Sequence, residues 1–146
     1  MASSALTTLI ELAENDVENA AKNLGRMIKA RDDANEQLKL LHQYRDDYEG
    51  RLQSNAQQGL SVTQFANFRA FIVKLDQAVD GQKKIILDAE YRIEVAKKAW
   101  QEREKKRLSY KTLIDRNAAV ELKKENKRDQ KQTDERAALQ YRNAGQ

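Results

Sequence analysis

Cysteine and proline are both missing from this chain, histidine occurs once, at His42, and aromatics make up only 6% of the residues. Without cysteine there is no disulfide framework and no thiolate metal site. Without proline nothing forces a break in a long helix. With so few aromatics and 34% of residues charged, the composition is that of a coiled coil or long helix. Stability then has to come from many thin layers. There is no glycine-rich phosphate loop. Neighbouring carboxylates such as Asp32-Asp33 and Asp46-Asp47 read as solvated helix faces, with no enclosed pocket to shift their pKa. No enzyme, cofactor or metal site is expected.

Long apolar runs are absent as well. No stretch approaches the roughly 20 apolar residues needed to span a membrane. The opening MASSALTTLIELAEN lacks a basic region and meets an acid at Glu11, so it is not read as a secretory signal. The expectation is a cytoplasmic protein. Its net charge of +4 is uneven: residues 1–100 hold 14 Lys and Arg against 15 Asp and Glu, residues 101–146 hold 13 against 8. A basic tail raises nucleic acid or an anionic membrane surface as partners. Acids are interleaved throughout, so a solvated helix face with mixed charges accounts for it better.

What the chain does have is a repeat. Steps of three and four residues give Phe65, Phe68, Ile72, Leu75, Val79, Gln82, Ile86, Ala89, Ile93, Ala96 and Trp100, all apolar but Gln82. A stripe every 3.5 residues is the seam of a coiled coil. A second seam precedes it: Ile10, Ala13, Val17, Ala20, Leu24, Met27, Arg31, Ala34, Leu38, Leu41, Arg45, Tyr48 and Leu52. Gly25 inside this first helix costs about 1 kcal/mol relative to Ala, and a close approach of two backbones is the expected compensation.

Between the seams, residues 54–59 are polar and carry turn formers, so they read as the loop. Ser61 and Gln64 then form a capping box for the second helix. The fold class is therefore all-α: a long two-helix antiparallel coiled-coil hairpin, helix 2 extending past helix 1. It is expected as one elongated domain with helix 1 at about 4–53, the loop at about 54–60 and helix 2 at about 61–140. Helix 1 should begin after Ser3/Ser4 or Thr7/Thr8. Facing residue numbers should then total about 113, which sets Leu38 against Leu75, Leu41 against Ile72, Tyr48 against Phe65 and Ala13 against Trp100. The same total sets Leu6 against Arg107, leaving helix 2 unpaired and free to fray beyond about 108.

The two edges of such a pair differ. One holds His42, Glu49, Arg69, Asp76 and Lys83, and is polar near the loop. The other holds Gln37, Tyr44, Phe71, Ala78 and Ile85, so Tyr44 and Phe71 should sit together beside Leu41 and Leu75. Burying an exposed ring on a partner gains about 1.5–3 kcal/mol. Gln37, Leu41, Tyr44, Tyr48 and Phe71, Leu75, Ala78, Gln82 share one spacing at one level, a patch that a ring or groove could grip. The bland alternative is that these rings merely lap over the seam.

Laid out this way, the chain resembles the FliJ family, the coiled-coil protein of the bacterial flagellar type III export apparatus. The likeness rests on Leu6, Leu9, Leu12-Ala13-Glu14, Val17, Ala20-Ala21 and Leu24-Gly25, then Glu36-Gln37-Leu38-Lys39, Leu41, Tyr44, Tyr48, Phe71-Ile72, Leu75 and Ala78. It continues through Trp100, Thr112-Leu113, Asp115-Arg116, Glu125-Asn126, Asp129-Gln130-Lys131 and Asp134-Glu135. Trp100 and the Asp-Gln-Lys run are not heptad requirements.

The resemblance implies a stalk that inserts into the hexameric export ATPase ring, promotes its assembly, touches the membrane export gate protein and escorts export chaperones. It would work at the cytoplasmic face of the inner membrane through those partners. It implies ATPase contacts at Gln37, Leu41, Tyr44, Tyr48, Phe71, Leu75, Ala78 and Gln82, although Gln82 departs from a histidine found in a familiar member. Phe71 and Leu75 are also implied gate contacts. Residues 13–24, with Ala13, Val17, Ala20 and Leu24, and the basic tail are further candidates for gate and chaperone contacts. Alternatives are the equivalent stalk of a virulence injectisome, a general coiled-coil chaperone that needs only diffuse apolar surface, and a nucleic-acid binder, whose affinity would fall steeply with salt.

Overall fold

The computed structural model describes residues 2–145 of the chain, with side chains from Ser4 onward. Two long helices pack against each other, α1 (Ala2–Gln58) and α2 (Val62–Ala144), and α2 is the longer; there is no strand among the described residues. Chain contacts divide the protein into two units, each drawn from both helices. One is Glu18–Gln101; the other joins the residues up to Val17 with those from Glu102 onward.

In the unit Glu18–Gln101 the α1 seam lies inward at every step: Ala20, Leu24, Met27, Arg31, Ala34, Leu38, Leu41, Arg45, Tyr48 and Leu52 are all buried or half-buried. On α2 the same holds from Phe68 to Trp100, while Phe65 is 47% exposed and stands outside the packed seam. The core of this unit is Ala20, Ala34, Leu52, Ile72, Leu75, Val79, Ile86 and Ala96. No large side chain among the described residues is fully enclosed. That is what two helices alone can achieve, since each seam residue meets a partner on one side only. In the other unit, Leu6, Ile10, Ala13 and Val17 continue the α1 stripe, and Glu104, Arg107, Tyr110 and Ile114 form the half-buried face of α2.

The turn is shorter than the polar run suggests. Helix α1 continues through Ser54, Asn55 and Ala56 to Gln58, and only residues 59–61 lie between the helices. Gly59 ends the turn region of α1 with φ at +92°, donating its N–H to the Ala56 carbonyl at 3.2 Å. A left-handed residue just past a helix end is the usual glycine stop. The capping box forms as expected: Ser61 N–H donates to Gln64 Oε1 at 3.2 Å and Gln64 N–H to Ser61 Oγ at 3.1 Å. At the other end α1 already includes Ala2, and Thr8 bonds back to the Ser4 carbonyl at 3.1 Å, inside the helix rather than capping it.

Moving the turn moves the register. Cross-helix contacts pair Ala34 with Gln82, Arg45 with Asp76, and Tyr48 with Phe68 and Phe71, totals of 116 to 121 rather than about 113. Tyr48 therefore meets Phe68 and Phe71, not Phe65. Leu38 and Leu41 stand at the levels of Gln82 and Val79 rather than Leu75 and Ile72, and Ala20, not Ala13, stands at the level of Trp100. The shift is close to one heptad, so both registers lay apolar seam on apolar seam. In the unit containing the chain ends, Arg103 reaches the Asp16 carbonyl at 3.3 Å, the same offset again. Leu6 is then level with Ile114 instead of Arg107. Half-buried positions on α2 run as far as Ile114, and the helix continues beyond it with every residue exposed.

Candidate functional site

The two edges of the helix pair in Glu18–Gln101 carry different chemistry. On one, Arg45 turns out of the seam and donates from Nε to Asp76 Oδ1 and from Nη1 to Glu49 Oε2, the latter at 2.9 Å. The hydrogen bond to Asp76, reinforced by its charge and then by Glu49, makes the guanidinium hold its proton more tightly than a free arginine. His42, Asp46, Asp80 and Lys83 line a shallow hollow around this network. Arg45 here serves Asp76, Glu49 and Asp46 within the chain. This is the edge on which His42, Glu49, Asp76 and Lys83 were expected.

The opposite edge is aromatic and apolar. Tyr48 lies against Phe71 with ring centroids 4.5 Å apart and planes at 44°, and against Phe68 at 5.2 Å and 47°. Tilted pairs at these distances are attractive beyond the area they bury. Phe71 nevertheless remains 38% exposed, and Tyr44 on α1 is 64% exposed. Tyr44 does not sit with Phe71 as expected: the shifted register brings it nearer the level of Ala78, and the ring that holds Phe71 is Tyr48. Further along the same edge Met27, Ala30, Ile85 and Ala89 line a second hollow, flanked by Asp88 and Arg92.

The expected contact residues thus separate by exposure. Gln37, Tyr44, Phe71 and Ala78 are exposed; Leu41, Tyr48 and Gln82 are half-buried; Leu75 is 9% exposed and lies in the core. Gln82 spends its amide inside the protein, donating from Nε2 to the Ala34 carbonyl at 2.9 Å. A patch built this way has a fixed floor, Leu41, Tyr48 and Leu75, and a reachable upper layer, Tyr44, Phe71 and their polar neighbours. Ring contact to Phe68 is the element that periodicity missed, because the turn was placed too early.

Of the second set, Ala20 and Leu24 belong to the same unit; Ala20 is buried and Leu24 half-buried. Ala13 and Val17 belong to the other, where Ala13 is buried and Val17 half-buried. All four are seam positions whose side chains are engaged by the opposing helix. What α1 leaves exposed near Ala13 is Leu9 and Leu12, the latter 57% exposed. Their signal in the sequence is an apolar residue falling off the 3-4 spacing.

No group of His, Cys, Asp and Glu among the described residues is placed to hold a metal ion. No helix among them is long and apolar enough to cross a membrane. Comparison with known proteins places this architecture. The family model for the flagellar FliJ protein matches residues 2–146. The chain is 35% identical over 138 residues to the flagellar FliJ protein of Salmonella typhi, covering 92% of this chain and 94% of that one. It is 34% identical to the flagellar FliJ protein of Escherichia coli (strain K12) over the same share of each.

Proposed function

The chain belongs to the FliJ family of flagellar proteins, and on that footing we propose that it is a non-enzymatic stalk of the flagellar protein export apparatus. In this reading the aromatic edge enters the hexameric export ATPase ring and promotes its assembly. The same edge links the ring to the membrane export gate, and the protein escorts export chaperones at the cytoplasmic face of the inner membrane.

The observation that supports it is Phe71. Its ring is pinned by Tyr48 at 4.5 Å yet remains 38% exposed. A ring held in one orientation loses little side-chain freedom when a partner covers it, which favours binding over lapping idly on the seam. Gln37, Tyr44, Phe71 and Ala78 are the proposed direct ATPase contacts, with Leu41, Tyr48, Leu75 and Gln82 holding them in place. Phe71 is the proposed gate contact, supported from below by Leu75. Along Ala13, Val17, Ala20 and Leu24, whose side chains face inward, a gate contact would use the outward neighbours Leu9 and Leu12 instead.

The test is the ATPase rate and ring formation of the purified export ATPase, with and without this protein. Wild type should stimulate both. Phe71→Ala should weaken stimulation by roughly tenfold, the factor that loss of a buried ring worth about 1.5 kcal/mol implies, while helicity by circular dichroism stays unchanged. Folded wild-type protein that stimulates neither would sink the proposal in favour of a chaperone escort.

A further inference from the structure

From Asp115 to Gly145 every residue is exposed. Within this length the charges of residues 115–131 are sorted by side. At about 100° per residue, Arg116, Lys123, Lys124, Lys127, Arg128 and Lys131 fall in one arc of about 140° that holds no acid. Asp115, Glu121, Glu125 and Asp129 fall on the opposite side, which holds no base. Asp134 and Glu135 return to the basic side and end the stripe.

This sorting works against the helix itself. Glu121/Glu125, Glu125/Asp129, Lys123/Lys127, Lys127/Lys131 and Lys124/Arg128 are like-charge neighbours four apart, which repel. No opposite pair stands four apart between 115 and 131. Elsewhere the chain uses the stabilising arrangement, as at Glu18–Lys22 and Asp88–Arg92. Among the described residues, the ion pair in this stretch is Lys124–Glu121 at 3.9 Å, which leaves the other bases of the face unpaired. Solvation alone gives no reason to separate the signs.

The shape of the face selects its occupant. Its bases extend over about 22 Å of helix, and Val120 is the one large apolar residue among them. A protein interface needs an apolar or aromatic centre, which this face lacks. Single-stranded nucleic acid needs aromatic rings to stack on, and a duplex groove would wrap phosphates around the acidic side too. A second copy could match basic to acidic only by opposite faces, an open arrangement that does not close.

We propose that the basic face of residues 115–131 rests on an anionic lipid surface, with the acidic face turned to water. A lipid headgroup plane meets one side of a helix and asks only for charge. Asp115, Glu125 and Asp129 then lie up to about 10 Å further out across the helix, roughly a Debye length at physiological salt, while Glu121 sits at the border, paired with Lys124. The bases feel the surface potential while the three outer acids are largely screened from it. This uses the exposed length of α2 alone, so it stands or falls separately from the stalk proposal.

The experiment is co-sedimentation of the full chain with phosphatidylcholine vesicles containing about a third phosphatidylglycerol, against pure phosphatidylcholine. Wild type binds the anionic vesicles at low salt, and the binding disappears as salt rises. Lys127→Gln with Lys131→Gln weakens partitioning roughly 25-fold, at about fivefold per base, with helicity unchanged. Glu121→Gln with Glu125→Gln binds as well as wild type or better. No preference over neutral vesicles, or equal binding by the lysine variant, overturns the assignment. So does tight binding to duplex DNA under salt conditions where the anionic vesicles stay free, which would give the face to nucleic acid instead.

Discussion

Single residues set how far each helix runs and how it stops. Gly25 and Gly59 look alike in a sequence and differ completely in role. A Cβ at Gly25 would meet nothing within 4 Å, so the close backbone approach expected there is absent. Gly25→Ala should therefore raise stability by about 1 kcal/mol, visible as a higher thermal midpoint. Gly59 holds φ at +92°, where any other L-residue is strained, and Gly59→Ala should lower stability by about 1–2 kcal/mol. Glu104 is a third case: the Arg107 hydrogen bond holds its carboxyl below the ordinary 4.5. A depressed carboxyl contributes stability that is complete above its unfolded value and is lost as pH falls through the folded one. Acid titration of helicity should show that loss below about 4.5 in wild type and not in Arg107→Gln.

At the scale of the element, the question is which register two repeating seams choose. Shifting by a heptad returns apolar residues to apolar residues, so seam matching cannot distinguish totals near 113 from those near 120. The polar members decide: Gln82 on the Ala34 carbonyl and Arg45 on Asp76 fit one register only. A polar seam residue typically sets register at a cost in stability. Arg45→Leu with Gln82→Leu should therefore melt higher while loosening the register. Spin labels at positions 48 and 71 should report one short distance in wild type and a broadened distribution in the variant. A 48–65 pair closer than 48–71 would show the register described here to be wrong.

At the scale of the whole molecule, packing is spent on part of α2 only. Nothing beyond Ile114 is buried among the described residues, so that length adds charge and reach but no core. Truncation after Ile114 should leave the thermal midpoint within a few degrees of wild type, because no side chain loses its burial. The same truncation should abolish binding to anionic vesicles while leaving the Phe71 edge and ATPase stimulation in place. Loss of both together would mean that the two surfaces are not separable.

The seams, the capping box, the all-α hairpin and the division into a charged and an aromatic edge were all legible from residue spacing. A helix presents residues three and four apart on one face whatever surrounds it, so periodicity alone places Phe71 and Tyr44 on the same edge. The tertiary structure decided where the chain turns, and with it the register. Residues 54–58 are polar enough for a loop yet remain helical up to Gly59, whose left-handed backbone makes a tighter turn possible. That difference carries Tyr48 from Phe65 to Phe68 and Phe71 and moves the last packed level on α2 to Ile114. Local spacing fixes which face of each helix is sticky, but a repeating pattern cannot state its own offset; only contacts that occur once per chain can.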